Sequence, residues 1–147
     1  MSWRGGAAAI PPKMPTKQLT FLDASVLINA ARGNDPARKM RAVSVIGDPN
    51  REFAAGQYLR LEVLPIAVLY KKKKEIALYE RYFNAVTTWV DPASLLVPAY
   101  DLACQYGLGA IDALHLLAAM TAGAEFISAE RPTKPIYSAY AGAVSIY

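Results

Sequence analysis

The chain has 147 residues, 54% of them hydrophobic and 19% charged, with a formal net charge of +4. That balance describes one globular domain able to bury a core and excludes a disordered chain. The mild positive charge permits an anionic partner such as nucleic acid without requiring one.

Cys104 is the single cysteine, which rules out an internal disulfide and a cysteine zinc cluster and fits a reducing cytoplasm. The apolar run Leu59 to Tyr70 is broken by Arg60 and Glu62 and falls well short of the roughly 20 residues a membrane span needs. The first stretch, MSWRGGAAAIPPKMPTK, has no continuous apolar segment of the kind a signal peptide carries. Residues 1–18 therefore read as a loose lead-in and residues 19–147 as a single domain.

Leu19 to Leu22 is a short apolar run that stops at Asp23, and Ala24 to Ala31 has helical character. This predicts a buried strand presenting one carboxylate at its C-terminal end, the usual site position in open α/β sheets. Asp23 can equally serve as the N-cap of the following helix. The turn cluster Arg32 to Pro36 precedes a helix over Ala37 to Ile46, which stops at Gly47-Asp-Pro-Asn50. Glu52 to Ala55 reads as a brief second strand. From Gly56 to Leu69 the pattern predicts a helix apolar nearly all round, hence buried, with a kink at Pro65.

The basic run Lys71 to Lys74 leads into a helix over Glu75 to Val86. Thr87 to Val90 is a β-rich run ended by Asp91-Pro92, and Ser94 to Tyr106 reads as a helix. After Gly107-Leu-Gly109 comes a long apolar helix, Ala110 to Ala122, with Gly123 as its stop. Ala124 to Ser128 and Ala143 to Tyr147 read as a fourth and a fifth strand. Strands alternating with helices imply an α/β sandwich around a mostly parallel sheet of four to five strands.

Four acids stand out. Glu62 lies in the apolar helix with Tyr58, Leu59, Pro65 and Ile66 at the positions three and four residues away, so no intrahelical ion pair accounts for it. It must face a cation, a hydrogen-bond network or a solvent-filled cleft. Asp112 falls in the first turn of the long apolar helix, where the helix dipole also favours an acid. Glu130 follows the fourth strand. Two acids after strand ends and two on apolar helices can meet at one rim of the sheet. Like charges brought so close repel unless a cation neutralises them, and an all-carboxylate oxygen set suits Mg²⁺ or Mn²⁺ better than zinc.

The segments Phe21-Leu-Asp-Ala-Ser-Val-Leu-Ile28, Leu59-Arg-Leu-Glu-Val-Leu64, Leu108-Gly-Ala-Ile-Asp-Ala-Leu-His-Leu-Leu-Ala-Ala119 and Glu125-Phe-Ile-Ser-Ala-Glu130 together resemble PIN-domain proteins, in the family's order and roughly its spacing. They are similar in particular to the toxin ribonucleases of bacterial VapBC toxin–antitoxin pairs. The resemblance runs from about Leu19 to Ser138 and implies a three-layer α/β/α sandwich. By resemblance, Asp23, Glu62 and Asp112 take the family's metal-binding acid positions, and Ser128 that of the hydroxyl residue before the fourth acid. The fourth acid is usually Asp, whereas Glu130 stands there in this chain.

What the resemblance implies is a Mg²⁺- or Mn²⁺-dependent endoribonuclease in the cytoplasm, plausible as the toxin of a pair with a small antitoxin and as a homodimer. Asp23 and Asp112 are then the central ligands, with Glu62 and Glu130 as further ligands or water positioners. The alternative is a PIN-like domain whose altered fourth acid leaves it binding RNA or a protein without cutting. Ser25 is placed to support a ligand or to bond locally in the first helical turn. Lys71, Lys72, Arg131 and Lys134 are candidate phosphate contacts, although a solvated surface is the commoner meaning of such residues. His115, on the same helix face as Asp112, reads either as a hydrogen-bonding neighbour of the site or as a packed histidine.

Overall fold

The computed structural model describes residues 17–147, so most of the lead-in over 1–18 lies outside the described residues. Five strands, β1 (Gln18–Leu22), β2 (Arg51–Gly56), β3 (Val86–Val90), β4 (Glu125–Ser128) and β5 (Ala143–Ser145), form one sheet in the order β3-β2-β1-β4-β5. Every neighbouring pair is parallel, as crossover helices between strands require. The described helices are α1 (Ala24–Arg32), α2 (Pro36–Ile46), α3 (Gln57–Leu69), α4 (Lys73–Ala85), α5 (Leu96–Tyr106), α6 (Ala110–Ala122) and the short α7 (Ile136–Ala139).

Successive strand residues point to opposite faces, and the two faces bury different helices. Leu22, Phe53, Ala55 and Ile127 pack with α1 to α4, whereas Phe21, Ala54 and Phe126 pack with α5 to α7. The result is the expected three-layer sandwich, with a fully parallel five-stranded sheet. The chain steps outward from β1 through β2 to β3 and then crosses back to place β4 on the other side of β1. The gap between the C-terminal ends of β1 and β4 is thus the topological switch point, where open sheets of this kind bind ligands.

Several sequence expectations are corrected. Helix α3 is not buried all round: Leu59, Val63 and Ala67 form its buried stripe, while Leu61 is 74% and Leu69 68% exposed. Helix α4 begins at Lys73 instead of Glu75, after a turn in which Lys71 adopts φ 53°, and Val86 opens β3 where a helix end was expected. The stretch after Asp91 divides into a 3₁₀ turn, Pro92–Leu95, and α5, with the Asp91 carboxylate accepting from the Ala93 N–H at 2.9 Å. Helix α7 was not anticipated, since four residues carry too little periodicity to read. Among the described residues no single helix is long and apolar enough to cross a membrane.

Candidate active site

Asp23 follows β1 directly and is only 6% exposed. Although it occupies the N-cap position of α1, its carboxylate makes no capping bond. Oδ2 instead accepts from Ser25 Oγ at 2.6 Å and from Ser128 Oγ at 3.1 Å. Two hydroxyls, one from α1 and one from the end of β4, thus hold the carboxylate where a capping bond would otherwise have held it. The same hydroxyls stitch the loop after β4 into place: Ser25 Oγ accepts from the Ala129 N–H at 3.0 Å and Ser128 Oγ from the Glu130 N–H at 3.1 Å. Tyr137 and Ser145 donate to the Glu130 carbonyl at 2.8 and 2.7 Å. The backbone beneath the Glu130 side chain is therefore held from three directions.

Asp112 stands in the first turn of α6, after the left-handed Gly107 (φ 70°) that lets the chain reverse from α5. With Glu130 and Lys134 it lines a cleft of about 220 Å³ closed by Gly107 to Gly109 and by Pro135 and Ile136. Burial pushes the Asp112 carboxyl above its ordinary value, and the negative charge of Asp23 adds to the rise; Glu130 and Glu62 raise it further, while His115 opposes them. All four acids thus belong to one electrostatic neighbourhood at the C-terminal rim of the sheet.

Glu62 reaches that neighbourhood from α3, and its carboxylate is hydrogen-bonded to Nε2 of His115, one helical turn beyond Asp112 on α6. The partner that the sequence around Glu62 lacks is a buried histidine 53 positions away. His115 is both of the things the sequence allowed, fully buried and bonded at the site.

The opposite rim of the sheet provides a contrast. There Arg51 pairs with both Asp48, at 3.0 Å, and Glu125, and Glu125 also accepts from Thr20 Oγ1. The acids at that end are ion-paired with an arginine; among the described residues Asp23, Glu62, Asp112 and Glu130 make no ion pair with a lysine or arginine. Among the described residues no three acidic, histidine or cysteine side chains stand close enough together to hold a metal ion as they are placed. Asp23 is drawn toward its serines and Glu62 toward His115. The donor set nevertheless fits a hard divalent cation in its chemistry, because it is all carboxylate oxygen and Asp112 is loaded by negative neighbours.

The candidate basic contacts separate. Lys134 lines the cleft beside Asp112 and Glu130. The Arg131 guanidinium lies 5.3 Å from the centre of the Tyr147 ring, which Arg38 also covers at 3.8 Å. Lys71 and Lys72 follow the far end of α3, whose last residue lies about 10 Å of helix axis beyond Glu62, so the structure does not bring them to the acids.

The sequence matches the PIN domain family over residues 20–132. No curated protein matches the chain by sequence comparison. Among solved structures it is similar to a toxin–antitoxin complex from Klebsiella pneumoniae, with TM-score 0.62 and 17% identity over 87% of this chain and 98% of that one. A second is VapBC2 from Rickettsia felis bound to a DNA fragment from its promoter, with TM-score 0.56 and 14% identity over 77% and 89% of the two chains. A third, from Pyrobaculum aerophilum, has TM-score 0.59 and 16% identity over 88% and 84%.

Proposed function

The chain belongs to the PIN-domain family, and we propose that it is a divalent-metal-dependent endoribonuclease, the toxin of a type II toxin–antitoxin pair. One observation carries this reading: a buried Asp23 whose carboxylate makes no capping bond is oriented by two serine hydroxyls at the switch point of the sheet, in the electrostatic reach of an Asp112 already pushed up by burial and by its acidic neighbours. Asp23 and Asp112 would be the central ligands of Mg²⁺ or Mn²⁺, with Glu130 and Glu62 as further ligands or water positioners. When bound, such an ion supplies a water of lowered pKa and a positive centre for the charge that develops on a phosphodiester.

The chain's own groups supply the rest. Ser25 and Ser128 fix one oxygen of Asp23 and leave the other without a bond among the described residues, pre-orienting it. The three-way anchoring of the Glu130 backbone limits where its longer side chain can reach. Lys134, at the mouth of the same cleft, is placed to meet a phosphate.

The toxin role is supported by the likeness in fold to toxin–antitoxin proteins. An antitoxin or a second copy of the chain would find apolar surface to cover on α3 (Leu61, Leu69) and on α5 (Leu96, Val97, Tyr100). The exposed free Cys104 is consistent with the cytoplasm.

Asp23→Asn and Asp112→Asn each test the nuclease. Both should reduce Mn²⁺-dependent cleavage of RNA by at least about a hundredfold, with circular dichroism unchanged. A second reading, a PIN-like domain that holds RNA or a protein without cutting it, is favoured by Glu130 in place of Asp and by the separation of the acids as they stand. A wild type that binds RNA but cleaves none with Mg²⁺ or Mn²⁺ would establish it.

A further inference from the structure

Glu62 is restrained by an assembly larger than one hydrogen bond. His115 is wholly buried, its ring tilted against Tyr58 at 4.7 Å and Phe21 at 5.6 Å between centroids. Among the described residues Nδ1 has no hydrogen-bond partner, and the Glu62 carboxylate on Nε2 is the imidazole's one hydrogen bond. Donation to a carboxylate calls for a proton on Nε2. Tyr58 is itself fastened across the same two helices by its hydroxyl, which donates to the Leu114 carbonyl at 2.9 Å. Gly56 makes room for it: a Cβ there would lie 2.5 Å from the Tyr58 ring. Glycine, tyrosine and histidine thus converge on the side chain of one acid.

Resting on the nuclease reading above, we infer that His115 is a positioning residue that ties Glu62 to α6 and keeps its carboxylate out of the inner ligand set. Asp23, Asp112 and Glu130 meet the cation directly, and Glu62 acts on it through water. An acid released from such a tether has only to swing to join its neighbours, so the tether withholds a ligand that would otherwise bind the ion more tightly. Metal affinity depends on how many charged ligands a site contributes, and on the outer groups that orient them.

Two measurements test this. His115 is the only histidine in the chain, so its imidazole resonances in the metal-free protein need no assignment. The Nε2 proton should be shifted downfield and protected from exchange, and Glu62→Gln should move it. A freely exchanging proton unaffected by Glu62→Gln overturns the tether.

The second measurement is Mn²⁺ titration by calorimetry. Glu62→Gln alone should change Mn²⁺ affinity by less than about threefold, whereas His115→Leu should raise it about tenfold and the double variant should cancel that gain. His115→Gln, which keeps a donor, should stay near the wild type, and it serves where His115→Leu does not fold. Glu62→Gln weakening Mn²⁺ binding by tenfold or more overturns the inference. Normal Mn²⁺ uptake without the histidine signature overturns the inference alone. No Mn²⁺ uptake by a wild type that has the signature overturns the nuclease reading and the outer role of Glu62 with it.

Discussion

The four acids differ in what surrounds each carboxylate, and that difference has a measurable consequence at Asp112. Its carboxyl is raised by burial and by Asp23, so the folded protein holds this proton to higher pH than the unfolded chain does. Between the ordinary carboxyl value and the raised one the native state binds more protons, and stability falls as pH rises through that window. The metal-free protein should therefore lose stability on moving from acid toward neutral pH at this residue, and Asp112→Asn should remove that slope and raise the neutral-pH melting temperature. Thermal melts of the metal-free wild type and variant across pH 3 to 7 check it; a variant that melts lower at neutral pH contradicts it.

Some of the surroundings of these acids were legible residue by residue. The abrupt break at Asp23 and the missing intrahelical partner of Glu62 both pointed outward from their own segments. What was not legible is what each acid touches. Ser128 lies 105 positions from Asp23 and His115 53 from Glu62, and no local rule connects such pairs.

Among the elements, β1, β2 and β4 were readable because each buries a short apolar run between two layers. The helix over Gln57–Leu69 was misread because its exposed positions are also apolar. Leu59 and Leu61 separate the two cases cleanly: the first is wholly buried and the second 74% exposed. Leu59→Ala should cost about 2–5 kcal/mol by leaving a cavity, while Leu61→Ala should change stability by less than about 0.5 kcal/mol. Urea denaturation of both variants measures this, and equal losses would mean that the exposed face is covered in solution. The boundaries at Lys73 and Val86 moved for a different reason. A four-lysine run gives no cap signal, and the β-branched Val86 was taken into the sheet by pairing with Phe53.

Across the whole molecule, the fully parallel order brings the ends of β1 and β4 together with the starts of α3 and α6, so acids far apart in sequence share one rim. The net charge of +4 is spread widely, and only some of it faces that rim. In an Asp112→Asn background that cannot cleave, Lys134→Ala should weaken RNA binding and lower the slope of log affinity against log salt by about 0.7, the value for one phosphate contact on a single strand. Lys71→Ala, beyond the far end of α3, should leave that slope unchanged; fluorescence anisotropy at several salt concentrations distinguishes them. The most direct measurement is a Mn²⁺ soak of crystals, read by anomalous scattering. A peak within about 2.3 Å of carboxylate oxygens from both Asp23 and Asp112 is the predicted result. A fully loaded crystal with no peak at the C-terminal rim, or with its ion held elsewhere, would contradict it.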